Sequence, residues 1–420
     1  MASNLGQKQE DENSQREIMR HLKTALTAAV AATALSAASP AMAEGVNIGI
    51  MFGFTGPLET LSPPMGDAAK LALQHVNEQG GILGGEATYT IGDSTCADAT
   101  AAANAADRLI NADGVHAIVG AMCSGATISA ANTAAIPAGV VMVSPSASSP
   151  AVTTVEDNDL LFRVGPSDSY QGEVVARLLL AKGINDIAIS YVNNDYGKGF
   201  ADALSAAYTA GGGDVTVNEA HEEGKSDYRA ELGSLAAGGS TNLVVLAYAS
   251  GSGQTMLRQA IESGDFEVYF GGDGMIADAL LTGIDAASVE GMIGTRQGRA
   301  DSAGTGVYAE LATAAGQDPI AAFGAQSYDS AFLLALAFEK HGSTDREGLN
   351  KALREVATAP GEVILPGEWA KAKALIAEGK DINYEGGGGS HEFDAAGDVS
   401  GVIVEMVVDG GTWVELGQAK

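Results

Sequence analysis

Short apolar runs of strand length alternate with helix-spaced segments along most of this chain, and that alternation leaves few folds open. "VNIGIMFGFTG" from Val46 reads as a buried strand ending in a Gly-Pro turn, and residues 65–78 carry apolar side chains at helical spacing. "GGEATYTIGDST" with helix 97–111, "VHAIVGAMCS" with helix 125–136, and the strand "VVMVSPSASSP" continue the series. The series then restarts with helix 170–181, "DIAISYVNNDYG", helix 198–210, "DVTVNEAH", helix 228–236, "NLVVLAYAS", helix 253–263 and "VYFGGDG". "GMIGTRQG" leads into two more helices, 304–316 and 323–341. Strands that alternate with helices form parallel sheets covered on both faces. At 420 residues the chain is too long for one such core, so the expected fold class is α/β with two doubly wound parallel-sheet lobes.

Charge removes several function classes. The formal net charge is −30, and an acidic chain lacks the clustered Lys and Arg that phosphate backbones and anionic membranes require, so nucleic acid is excluded as a partner. The acidity reads as a solubility device. The N-terminus is read separately: Met19, Arg20 and Lys23 open a small, apolar stretch that ends in the small-x-small site Ala41-Met42-Ala43, the pattern of a secretory signal peptide over 19–43. The expected location is therefore periplasmic, the mature chain starts at Glu44, and residues 1–18 read as a non-native or misassigned extension. The two cysteines, Cys96 and Cys123, both fall in the mature part. In an oxidising compartment a disulfide is the first reading and a buried thiol pair the second.

In an open parallel sheet, ligands sit beyond the carboxyl ends of the strands, where loops meet helix N-termini. "FGFTGPLE", "AMCSGAT", "SPSASSP", "VNNDYGKG", "AYASGSG" and "FGGDGM" all fall at such ends, and two lobes facing each other with these loops describe a hinged cleft. Enzyme chemistry finds no support in them. Ser124 lacks the G-x-S-x-G frame of a hydrolase nucleophile because Met122 stands where a glycine belongs. The histidines form no metal-ligand spacing, so no metal or cofactor is expected. Gly224-Lys225-Ser226 has Glu219 where a phosphate loop needs its first glycine. Recognition chemistry fits better: Ser124 and Thr127 at a helix start offer hydroxyls and N–H groups to a carboxylate, although Ser and Thr are also ordinary capping residues. Ser146 and Ser148 follow a second strand end, where a plain Pro-Ser turn is the alternative. Asp273, between glycines, suits an ammonium group or simply a turn, and Tyr196 and Tyr248 suit an apolar wall or inter-lobe packing.

The ordered series "FTGP", "HVNEQGGILG", the Cys96 and Cys123 pair, "CSGAT", "SPSASSP", "NDYGKG", "GQTMLRQA" and "FDAAGDVSG" resembles the periplasmic leucine/isoleucine/valine-binding proteins of ABC transporters, which have the type I solute-binding fold. The resemblance covers nearly all of the mature chain. It implies a multi-crossing hinge with crossings near Gly165, Thr295 and Gly401, an N-terminal lobe of 44–164 plus 296–400, and a C-terminal lobe of 167–294 plus 402–420. It further implies a ligand carboxylate on Ser124, backbone contacts from Ala147 and Ser148, an ammonium partner in Asp273, and a side-chain pocket of Met122, Cys123, Tyr196, Leu61 and Tyr248. The implied ligand is an aliphatic amino acid and the implied partners are ABC permease subunits, with the protein a monomer. Several positions depart from the family pattern: Asp273 is shorter than the expected glutamate, Pro63 and Pro64 adjoin Leu61, and Ser148 replaces a common threonine. An amide, urea or small carboxylate is the alternative ligand, a ligand-sensing component the alternative role, and an exported α/β hydrolase the remote one.

Overall fold

A computed structural model describes residues 45–419 and, before them, Met19 alone. The expected signal peptide, apart from Met19, and the expected extension 1–18 lie outside the described residues. Among the described residues no helix is long and apolar enough to cross a membrane.

The first sheet follows from the apolar runs. Strands β1 (Val46–Phe52), β2 (Ala87–Asp93), β3 (Ala117–Gly120), β4 (Met142–Ser144) and β5 (Leu161–Arg163) lie in the order β2-β1-β3-β4-β5, and every pairing is parallel. Central β1 pairs Ile48 with Ala117 and with Tyr89, and β3 and β4 are buried throughout, as strands covered on both faces must be. One covering helix, Gly324–His341, is buried at every position from Gly324 to Phe338 and packs against helix Ser62–Glu78. Among its buried polar side chains, Asp329 Oδ1 accepts from Tyr384 Oη at 2.8 Å, and Ser330 Oγ donates to the Gln326 carbonyl at 2.8 Å.

The second sheet is built from β6 (Asp186–Val192), β7 (Asp214–His221), β8 (Asn242–Leu246), β9 (Val268–Gly271) and β10 (Ile293–Gln297). A small parallel pair, β11 (Glu362–Ile364) and β12 (Ile382–Tyr384), follows, and then β13 (Ile403–Asp409) and β14 (Thr412–Gln418) return to the second sheet to give the order β14-β13-β10-β9-β8-β6-β7. Here the structure departs from an all-parallel reading. β13 runs antiparallel to β10, and it turns back into antiparallel β14 because Gly410 and Gly411 adopt positive φ (61° and 82°) and close a two-residue hairpin between Asp409 and Thr412.

The chain passes between the two sheets after β5, after β10 and before β13. These segments are bonded to one another: Gln297 Nε2 donates to the Pro166 carbonyl at 3.3 Å and Gly298 N–H to the Val402 carbonyl at 2.7 Å. Away from the crossings the two layers touch where Ser250 N–H donates to the Pro57 carbonyl (3.2 Å), Thr60 Oγ1 meets Ser250 Oγ (3.2 Å), and Ser149 Oγ donates to the Asp195 carbonyl (2.7 Å).

Candidate functional site

The strand-to-helix turn after β3 is shaped by one glycine and one covalent link. Gly120 has φ of 130°, and a Cβ there would lie 2.3 Å from the Met51 carbonyl oxygen, so the turn needs glycine. Three residues on, Cys123 is bonded to Cys96, with Cα atoms 5.5 Å apart. The chain-entropy argument gives such a closure about 3–4 kcal/mol. Helix Ser124–Ala130 then begins with Cys123 at its N-cap and no side chain capping it. Ser124 is therefore not a helix cap. Its Oγ accepts the Ser149 N–H at 3.1 Å, which leaves its own hydroxyl proton to donate.

The neighbouring loop is stitched to this turn. Ser144 Oγ donates to the Ala121 carbonyl (2.6 Å) and accepts from Ala147 N–H (3.0 Å), and Ser146 Oγ donates to the Met122 carbonyl (2.8 Å). Beneath it sits a buried arginine. Arg163, 1% exposed, donates from Nη1 to the carbonyls of Ser148 (3.0 Å) and Ser149 (2.9 Å) and from Nη2 to Thr153 Oγ1 (2.6 Å). Asp398 balances its charge, with Oδ1 accepting from Nε at 2.6 Å and Oδ2 from Nη2 at 2.5 Å. Arg163 thus fixes the backbone that presents Ser148.

Opposite these loops stand residues of the second sheet's layer. Tyr196 donates from its hydroxyl to Asp273 Oδ1 at 2.9 Å and stacks on Tyr248, with ring centroids 5.5 Å apart. Tyr248 Oη in turn accepts from Asn194 Nδ2 at 3.1 Å. Burial pushes the Asp273 carboxyl up to about 6, while the Tyr196 hydrogen bond holds it down. Burial and then the Asp273 charge raise the Tyr196 hydroxyl well above its ordinary range, so it remains a neutral donor.

Between the two sides lies a small cavity lined by Leu58, Leu61, Met122, Cys123, Ser124, Ser146, Ser148, Tyr196, Tyr248, Asp273, Gly274 and Phe323. The structure places Leu61, Met122, Cys123, Ser124, Ser148, Tyr196, Tyr248 and Asp273 on its wall, while Ala147 is buried in the loop behind. Leu58, Ser146, Gly274 and Phe323 complete the lining. Phe323 was hidden from sequence reasoning because it precedes its helix in a left-handed conformation (φ 58°), a turn that no glycine or asparagine announces. Asp168 was missed as well. It is fully buried at the first turn of helix Asp168–Ala181, its N–H donates to the Ser148 carbonyl at 2.7 Å, and neither carboxylate oxygen has a hydrogen-bond partner. Among the described residues no cluster of His, Cys, Asp or Glu could hold a metal ion.

The arrangement offers hydroxyl and backbone donors on one side, a carboxylate on the other, and an apolar wall between them. Residues 45–378 match the family described as periplasmic binding protein. A Leu/Ile/Val-binding protein of Rhizobium johnstonii is 31% identical over 352 residues, covering 81% of this chain and 92% of its own. A chemotactic signal transduction system substrate-binding protein of Halobacterium salinarum is 27% identical over 377 residues, 88% of each chain. Among solved structures, a leucine-binding protein from Thermotoga maritima superposes with a TM-score of 0.75 at 23% identity, covering 89% of this chain and 99% of that one, which shows the shared fold. Fold, cleft and sequence agree, and the chain belongs to the periplasmic binding protein family.

Proposed function

We propose that this protein is the extracytoplasmic solute-binding component of an ABC importer, which captures an aliphatic amino acid between its lobes and delivers it to a membrane permease. The observation that carries this reading is the opposition, across one small cavity, of the Ser124 and Ser148 donors and the Tyr196-bound carboxylate of Asp273. Ser124, through hydroxyl and N–H, and Ser148 receive the ligand carboxylate; Asp273 receives the ammonium; Leu58, Leu61, Met122, Tyr196, Tyr248 and Phe323 enclose the side chain. A zwitterion leaves water at acceptable cost only when both charges meet hydrogen-bonding partners, and this selects α-amino acids over apolar molecules of the same shape.

The lobes that close are 44–164 plus 298–400 and 167–297 plus 402–420, the second crossing lying at Gly298 and not near Thr295 because β10 keeps Ile293–Gln297 in the second sheet. The contacts of Pro57 and Thr60 with Ser250, and of Ser149 with Asp195, join the lobes when the cleft is shut. Binding rather than catalysis is supported by the surroundings of Ser124, whose hydrogen-bond partner is the Ser149 N–H and not a histidine. The Leu/Ile/Val-binding relative supports the aliphatic ligand.

The test is a thermal-shift panel of amino acids, amides, urea and small carboxylates on protein stripped of bound solute. At 100-fold over its dissociation constant a ligand stabilises by about 2.7 kcal/mol. Shifts with leucine, isoleucine or valine support the reading; shifts confined to amides or urea overturn it. The Halobacterium relative favours a second role, presentation of the same ligand to a signalling receptor. Co-purification of the liganded protein with a permease or with a transducer separates the two.

A further inference from the structure

Helix Asp195–Ala210 contains a glycine, Gly199, whose reason for being there lies across the cleft. Glycine inside a helix is less stable than alanine, so a helix keeps one where something else forbids a side chain. Outside the helix's own backbone, the three atoms nearest to a Cβ at 199 would all belong to the first sheet's layer: Ser149 Oγ at 2.6 Å, Pro150 Cδ at 2.8 Å and Ser149 Cβ at 3.6 Å. The two nearest have little room to yield. Ser149 Oγ is held by the Asp195 carbonyl at 2.7 Å and the Ala151 N–H at 3.2 Å, and Pro150 is a rigid ring at the start of the short helix that Ser149 caps. Glycines stand at two more approaches across this gap. A Cβ at Gly125 would lie 3.0 Å from Asp195 Oδ2, but that carboxylate is exposed and can swing aside; one at Gly251 would lie 2.7 Å from Pro57 Cβ, but also 2.5 Å from Glu223 Oε1 on its own side. Only at Gly199 do the nearest obstacles lie wholly on the opposite side and hold firm. The contact also joins the two halves of the site: Tyr196, one turn earlier on the helix, donates to Asp273, while the Ser149 N–H donates to Ser124 Oγ.

We propose that Gly199 is a positioning residue for ligand capture: by presenting no side chain to Ser149 and Pro150, it lets the lobes shut far enough for the Ser124 and Ser148 donors and the Asp273 carboxylate to hold one molecule together. An added methyl would stop the helix short of Ser149. Because the lobes move as units about their crossings, the whole cleft would then stay ajar. The open form would not feel the methyl, and its helix would gain from alanine. The inference rests on the lobes and the ligand proposed above, and it deepens that reading by naming the contact that limits closure. A clash confined to the shut form lowers the population of that form, and apparent affinity falls by the same factor. One extra methyl forced into a filled contact corresponds to roughly a fivefold to hundredfold loss. The loss belongs in the dissociation rate, since the ligand lands on the open protein.

The test is calorimetric and stopped-flow titration of ligand-stripped protein with leucine, with ligand-free thermal melts, for the wild type, Gly199→Ala and Gly233→Ala. Gly233 is the matched control, an exposed glycine inside helix Arg229–Ala237 whose Cβ would meet nothing within 4 Å. Gly199→Ala should bind leucine more weakly by the factor above, with faster dissociation, an unchanged association rate and a ligand-free melting temperature no lower than that of the wild type. Gly233→Ala should also melt no lower, yet bind as the wild type does. A second measurement needs no ligand. Thr60 Oγ1 and Ser250 Oγ meet across the cleft at 3.2 Å, so the pair Thr60→Cys and Ser250→Cys should form a bridge when the lobes shut, and adding Gly199→Ala should slow that bridging several-fold. Wild-type leucine affinity in Gly199→Ala overturns the proposal, as does an unchanged bridging rate. A ligand-free melt of Gly199→Ala below the wild type also contradicts it, because the methyl would then clash in the open form. The ligand reading fails separately: a wild type that gives no heat with leucine removes that reading, and the bridging rate still decides what Gly199 does.

Discussion

Arg163 and Asp398, 235 positions apart, form a two-point ion pair directly beneath the loop that carries Ser148. Arg163 is 1% exposed, so removing its partner strands a charge in the interior. Asp398→Ala should therefore destabilise the protein by about 3–5 kcal/mol and weaken ligand binding, because the backbone of residues 147–149 loses its anchor. Replacing both partners with apolar residues of similar volume should restore much of the stability but not the affinity. Thermal melts and calorimetry on the wild type and these two variants would separate these effects; equal affinity in all three proteins removes Arg163 from the site.

Asp273→Asn keeps a group able to accept from Tyr196 but removes the negative charge. Leucine affinity should fall by about 2–5 kcal/mol, the usual cost of deleting one partner of a buried charge pair. Ligand-free stability should move the other way. Burial raises the Asp273 carboxyl to about 6, above its value in the unfolded chain, so the ionised form opposes folding. That contribution to stability is present at acid pH and is lost as pH rises through the folded value. At neutral pH the empty Asn variant should thus melt higher than the empty wild type, and a lower melt would contradict this origin of the shift.

His221 gives the opposite slope. It is buried between Ser190 Oγ (2.8 Å from Nδ1) and Ser252 Oγ (3.0 Å from Nε2), and burial lowers it to about 4. Unfolded, an ordinary histidine titrates near 6.5, so between these values the unfolded chain binds more protons. Stability from this group is full above about pH 6.5 and falls by up to about 3 kcal/mol as pH drops toward 4. His221→Gln should flatten this limb of the stability profile relative to wild type, measured by denaturant melts at each pH.

Reduction of Cys96–Cys123 should lower stability by about 3–4 kcal/mol. Because Cys123 also lines the cavity and immediately precedes the helix that begins at Ser124, the reduced protein should bind leucine more weakly. Unchanged affinity after complete reduction would confine the bridge to a stabilising role.

Much of this architecture is legible in the sequence, since strands such as Val46–Phe52 and Asn242–Leu246 stand out as apolar runs between turn signals. What escaped were elements without a periodic signal. β5, only Leu161–Arg163, is too short to show alternation, and with it went Arg163, whose meaning depends on Asp398 arriving from the far end of the chain. The hairpin of β13 and β14 carried a readable Asp-Gly-Gly turn, but its antiparallel return to the second sheet is a tertiary choice that local spacing does not encode. In the site, residues at strand ends such as Ser124, Ser148 and Asp273 were open to reasoning from topology. Asp168 reads locally as an ordinary acidic first-turn residue, and only its burial without partners marks it out.

The central claim is that one cavity recognises both charges of an amino acid, and the most direct measurement is calorimetric titration of ligand-stripped protein with leucine, 4-methylpentanoate and 3-methylbutylamine. The last two keep the aliphatic chain but each lacks one charged group. Leucine should bind at least about a hundredfold more tightly than either, since each deletion leaves a buried partner unmatched. Equal binding of the amine-free acid and leucine would contradict the role given to Asp273, and equal binding of the amine and leucine would contradict the role given to Ser124.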